Sequence, residues 1–253
     1  MNDVDECRRM AEALTRALHL AAPPIAISFE AVTPSDVPAF DEPMSEPTPD
    51  GRAGRVPAGC VFWMRAVAAT FTTAPADHGN CSVGRFTHGL ATMEEIGGNS
   101  DVAALLESGW VDEAAVKTLP SVSAKPAAVT YGPLADAPRP PDVVLLRVNG
   151  RQLMVISDAI PGLRIEGKPQ CHIVALAKEH GVAAASVGCA LSRARTGMRP
   201  DEMTFAFPGE RLAAVVDAIE QTAAVDTIVA RYAGEDARRF GARGSAIAAE
   251  ESQ

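Results

Sequence analysis

The chain lacks an excess of positive charge, a long apolar run and the familiar catalytic loops, and each absence removes a class of function. Its 253 residues carry 23 lysines and arginines against 32 aspartates and glutamates, for a formal net charge of −9. That balance offers no basic stripe to neutralise phosphates, so no nucleic-acid partner is expected. No apolar stretch approaches the ~20 residues of a membrane span, so no membrane partner is expected either. The opening MNDVDECRRM is acidic and has neither the basic start nor the apolar core of a secretory signal. A cytoplasmic location is the expectation. G-x-G-x-x-G, Walker, H-E-x-x-H and G-x-S-x-G motifs are all missing, and no two cysteines stand in a C-x-x-C pair.

What is present is a length sufficient for one large domain or two closely packed halves. At this size about three-quarters of the unfolded surface is buried on folding, so neither disulfide nor metal is needed for stability alone. Val4, Cys7, Met10, Leu14 and Leu18 recur at three- and four-residue steps, predicting an amphipathic helix over 3–20 with Cys7 in its packing face. Short apolar runs predict strands over 25–29, 127–131, 184–187 and 203–207. Asp142–Val148 and Arg151–Ile156 flank Asn149-Gly150 and read as a type I′ hairpin. Helices are expected over 101–108, 112–118, 171–180 (closed by Gly181) and 210–232, the last with Leu212, Val215, Val216, Ile219, Ala223, Ile228 and Val229 on its apolar face. The Pro- and Gly-rich segment 41–57 reads as a loop, with a lid as the sharper alternative. The end of the chain, 240–253, reads as disordered. The fold class is therefore α/β or α+β: a mixed sheet with flanking helices.

Two stretches resemble one another. Cys60 and Cys171 each open an apolar segment, and Cys81 and Cys189 follow about twenty residues later. After each second cysteine an arginine stands four positions on and a glycine eight, giving Cys81, Arg85, Gly89 and Cys189, Arg193, Gly197. Upstream, Pro24–Phe29 matches Pro126–Tyr131. This pattern divides the chain into an N-terminal helix (1–22), a first half (23–120), a second half (121–239) and a tail, with the halves related by a pseudo-twofold axis. Such an axis brings two distant thiol pairs to one site.

Four thiolates complete an iron–sulfur cluster or a zinc site. Burial as small core residues and reactive metal-free thiols are the competing readings. An arginine four residues after each cysteine shares a helical face with it, favours thiolate, and can clamp an anion. Glu94 or Asp201 offers these arginines a surface partner instead. Gly89 and Gly197 read as turns of positive φ or close approach. His78, His88 and His172 stand close to the cysteines, so a mixed Cys/His site is an alternative; His88 breaks the symmetry, standing where Thr196 stands in the other copy. His78 and His180 read as surface loop histidines, His19 as a structural one.

The segments GCVFWMR at 59–65, HGNCSVGRFTHG at 78–89, YGPLADAPRPPDVVL at 131–145 and SVGCALSRARTGMRPDEM at 186–203 resemble a prokaryotic family catalogued as domain of unknown function one hundred and sixty-nine. The resemblance runs from about Ala13 to Tyr232. It implies cysteines at the positions of Cys60, Cys81, Cys171 and Cys189, compatible with an iron–sulfur or other metal role, and it implies no particular activity. Segment 41–57 is longer and richer in proline than the family pattern.

These readings combine into one leading expectation. Cys60, Cys81, Cys171 and Cys189 bind an iron–sulfur cluster, or zinc or another metal, for redox or substrate-activating chemistry on a small anionic molecule. Arg85 and Arg193 orient that molecule and His88 handles a proton. The alternatives are a non-catalytic binding module with buried thiols and a thiol enzyme in which Cys81 or Cys189 attacks substrate. Homo-oligomer formation is left open.

Overall fold

Apolar, β-branched runs form the centre of the molecule because both faces of the strands are covered. A computed structural model describes residues 3–41, 60–79, 81–167 and 169–240. Their strands are Ile25–Glu30 (β1), Phe71–Thr73 (β2), Ala128–Pro133 (β3), Val143–Val148 (β4), Arg164–Glu166 (β5), Ala184–Ser186 (β6) and Met203–Pro208 (β7). They build one sheet in the order β2-β3-β1-β4-β7-β6-β5. Only the β5–β6 pairing is parallel, so the sheet is mixed, as expected.

The helices are Asp3–Leu18 (α1), Cys60–Arg65 (α2), Ser82–Thr87 (α3), Met93–Gly97 (α4), Ser100–Glu107 (α5), Glu113–Lys117 (α6), Gly150–Ala159 (α7), His172–His180 (α8), Ala190–Thr196 (α9) and Leu212–Phe240 (α10). Alternation along β4 shows how the layers divide. Val144, Leu146 and Val148 join the core beneath α1, α7 and α10. Val143 and Leu145 join a second core with Phe62, Trp63, Tyr131, Cys171 and Ile173, beneath α2, α3 and α8. The architecture is helices on both faces of a seven-stranded sheet.

The expected hairpin at Asn149-Gly150 is replaced by a strand and a helix. Asn149 caps α7: its side chain accepts from the Gln152 amide at 3.0 Å, while Gln152 Oε1 accepts from the Asn149 amide at 2.8 Å. This reciprocal capping box uses the residues that in a hairpin would have turned the chain. α10 also departs from expectation. Leu212, Val215, Val216 and Ile219 are buried, but Ile228 and Val229 are exposed. His19 lies just past α1 at φ 50° rather than within it. The predicted lid, 41–57, falls outside the described residues apart from Asp41, and the predicted tail does so apart from Phe240.

From β1 the chain passes through α2, β2 and α3, reaches β3, and enters a 3-10 turn at Leu134–Asp136. From β4 it passes through α7 and β5 to α8, β6 and α9, reaches β7, and enters a 3-10 turn at Gly209–Arg211. β1 and β4 lie side by side and antiparallel, Ala26 opposite Val144. Among the described residues no helix is long and apolar enough to cross a membrane.

Candidate functional site

Each of the four paired cysteines stands at the start of a helix. Cys60 is the first residue of α2, and Cys81, Cys171 and Cys189 are the N-caps of α3, α8 and α9. They line one cavity of about 30 Å3, walled also by Val83, Leu105, Trp110, Pro169 and Leu191. An adjoining cavity of about 20 Å3 shares Val83, Leu105, Trp110 and Pro169 and extends under α6. Asp101, Gln170 and Ser192 supply the polar rim. Asp101 accepts from the Ser82 amide and hydroxyl at 2.9 and 2.7 Å, and Gln170 donates to Ser192 at 2.8 Å.

The convergence of the thiols is as expected, but the metal centre is not. Among the described residues, no group of three or more His, Cys, Asp or Glu side chains is placed to hold a metal ion. A tetrahedral thiolate site needs its sulfurs at about 2.3 Å from one ion. Here four separate helix termini distribute them around the cavity wall. The expected iron–sulfur cluster, its zinc alternative and the redox chemistry built on them are corrected accordingly. No disulfide forms among the described cysteines.

Burial governs the protonation of Cys81 and Cys171. It pushes Cys81 up to about 12, with Cys60, Asp101 and Cys189 adding to the rise and the Gly84 amide opposing it. Burial likewise raises Cys171 well above the ordinary thiol value, with Cys81, Cys189 and Cys60 adding to it and a hydrogen bond with Thr87 opposing. A helix N-terminus ordinarily favours thiolate. At these two positions desolvation wins, so both are neutral thiols at neutral pH.

The residues expected to act on substrate are elsewhere. Arg193 folds back over Gly188 and donates to the carbonyls of Arg199, Val187 (3.0 Å) and Glu202 (2.8 Å). It clasps the loop before α9 to the loop before β7. Arg85 lies near His78 and Glu95, and its Nε is buried without a hydrogen-bond partner. Neither arginine lines the cavity.

His88, the C-cap of α3, is completely buried. Its Nδ1 donates to the Gly84 carbonyl at 2.9 Å, leaving Nε2 without a partner. Burial holds it down to about 4, so it is neutral. His78, expected on a surface loop, is also completely buried, between Phe62 and Tyr131. Thr73 uses its hydroxyl proton on Val129 O, so at 2.9 Å it accepts from His78 Nε2. Burial, then His88 and Arg85, pull His78 far below its ordinary value. His180 is exposed, as expected.

Gly89 and Gly197 both adopt positive φ, 69° and 68°, as the repeat spacing predicts. His172 belongs to a second cluster, whose Arg164 and Glu166 the sequence reading missed. Glu166 stands 2.6 Å from Arg164 and 3.3 Å from His172, the latter not aligned as a hydrogen bond. Burial lowers His172 and Glu166 opposes that. The cluster edges an open pocket of about 510 Å3 with Thr118 and His180. The i, i+2 spacing of Arg164 and Glu166 on β5 places both on one face, the only sequence signal for it.

Fold and site together define a three-layer α/β protein whose thiols share one apolar cavity. The family model of DUF169, described as an uncharacterised ArCR group, matches residues 13–218. The chain belongs to that family. No curated protein and no solved structure matches it.

Proposed function

We propose that the protein is a small-molecule binding module whose site is the thiol-lined cavity. Its ligand is compact, uncharged and polarisable, with two or three heavy atoms. The observation that carries this reading is the wall itself: four cysteines from four helix starts, flanked by Val83, Leu105 and Leu191. Neutral thiols are soft, weakly hydrogen-bonding surfaces, suited to a polarisable guest. About 30 Å3 admits a group the size of one or two waters. Among the described residues no Lys, Arg or His lines the cavity, which argues for a neutral ligand over the anion first expected. Thiol attack is disfavoured at Cys81 and Cys171 because both are protonated. A reducing compartment such as the cytoplasm keeps such thiols intact.

We also propose that the site lies across a duplicated fold. The parallel order of elements supports it: β1, α2, β2, α3, β3 answering β4, α8, β6, α9, β7. Each series ends in a proline, Pro133 or Pro208, followed by a 3-10 turn. In this register β1 corresponds to its neighbour β4 rather than to β3, and the axis passes between β1 and β4.

Anaerobic titration with methanethiol, followed through the methyl resonances of Val83, Leu105 and Leu191, tests the binding proposal. Saturable shifts confined to those residues, abolished in a cavity-filling Cys189→Leu variant that remains folded, are expected. Shifts that fail to saturate, or that survive the filling, would count against it.

A further inference from the structure

The distal half of α10 carries an apolar stripe that the rest of the chain leaves uncovered. Val225, Ile228, Val229 and Tyr232 are 55, 57, 56 and 65% exposed. Their spacing puts all four on one face of the helix. The buried residues Leu212, Val215, Val216 and Ile219 occupy the opposite face, against α1 and α7. α10 is 29 residues long, about 43 Å at the helical rise, so it extends well beyond the part that packs. Isolated exposed apolar residues are ordinary, but four in one stripe on a helix mark an interaction surface.

We propose that this stripe pairs antiparallel with the same stripe of a second copy of the chain. The order of residues is self-complementary about a point between Ile228 and Val229. A twofold axis there sets Val225 level with the second copy's Tyr232, and Ile228 level with its Val229. Every apolar level then meets another, as an isologous interface requires.

Charge decides the direction. Asp217, Arg238 and Arg239 are exposed at the two ends of α10. Antiparallel pairing brings Arg238 and Arg239 of one copy beside Asp217 of the other, twice over. Parallel pairing would set arginine against arginine and aspartate against aspartate.

The test uses the full chain. Sedimentation over a wide concentration range is expected to show a dimer, and Ile228→Glu is expected to sediment as a monomer, because the new carboxylate would be buried opposite Val229. At concentrations low enough for the parent to be monomeric its thermal unfolding should match that of the parent, since the side chain is exposed in one copy, and at higher concentrations only the parent should gain stability. Mixing Val225→Cys with Tyr232→Cys protein under mild oxidation should yield the mixed disulfide in large excess over either self-linked dimer, with the parent protein giving no cross-link. A monomeric parent at every concentration, whether its stripe is bare or covered by residues 241–253, overturns the proposal. So does a dimer that survives Ile228→Glu, or self-linked dimers predominating over the mixed one.

Discussion

Cys81 and Cys189 hold the same position in two parts of the fold: each precedes the first turn of a short helix, and each faces one cavity. Each is also followed four residues later by an arginine that turns away from that cavity. Arg193 serves backbone carbonyls, and Arg85 lies near His78 and Glu95. The pattern that points to a charged catalytic site therefore puts four thiols on the cavity wall without their arginines, and Arg193 holds two loops together instead.

Alkylation is the first consequence. A thiol raised from 9.0 to about 12 loses a factor of about 1000 in thiolate and regains part of it in intrinsic nucleophilicity. Cys81 should react with iodoacetamide roughly 50-fold more slowly than an ordinary thiol, before any steric protection. Mass spectrometry of peptides from native and urea-unfolded protein measures the ratio. Equal rates in the two states would contradict a buried, neutral Cys81 thiol.

Acid should destabilise the fold through its buried imidazoles. His88 is lowered from 6.5 to about 4, so between these values the unfolded chain binds a proton that the folded chain does not. Stability is complete above 6.5 and falls as pH drops toward 4. Between about pH 8 and about pH 5, His88 alone should remove about 2 kcal/mol, and His78 acts in the same direction. Cys81 works at the other end, where stability falls as pH rises above 9 toward 12. Urea unfolding of the parent and of His88→Gln across this range checks the sign and the size. A parent profile flat from neutrality to pH 5 would be inconsistent with neutral buried histidines.

Gly89 and Gly197 share a conformation but not a neighbourhood. A Cβ on Gly89 would meet the Val122 carbonyl, whereas one on Gly197 meets nothing within 4 Å. Gly197→Ala should cost about 1 kcal/mol, the strain of positive φ alone. Gly89→Ala should cost at least about 1 kcal/mol more, because backbone must move. Paired denaturation midpoints give the comparison.

Arg193→Met keeps the length of the side chain and removes its donors. Three carbonyls lose a charged partner, and a loss of roughly 1–3 kcal/mol is expected. Methyl shifts on adding methanethiol should persist, because Arg193 lies outside the cavity wall. If Arg193 instead held a ligand, binding would be lost while stability hardly changed.

Much of this was legible in the residues. The period of Val4 to Leu18 gives α1, and Gly181 closes α8 at φ 63°. The doubled cysteine spacing anticipates that four thiols meet. Other features depend on contacts that no local pattern contains. Asn149-Gly150 is good chemistry for a hairpin and for a helix cap, and Gln152 at the third helical position tips it to the cap. Ile228 and Val229 continue the apolar composition of α10 but fall on its other face, beyond the reach of the core. Whether four nearby sulfurs surround one point or line a wall is set by the placement of four helices, which spacing along the chain does not fix. Protonation of the thiols follows from the same packing, since an arginine at i+4 reads as a thiolate partner until burial is known.

The most direct test of the thiol-lined cavity as a binding site is a crystal structure of xenon-pressurised protein. Xenon is uncharged and polarisable and enters apolar cavities. A single anomalous peak among Cys60, Cys81, Cys171 and Cys189 is predicted, absent from crystals of Cys189→Leu. No peak there, or a polar cluster of ordered waters that xenon fails to displace, would contradict the account.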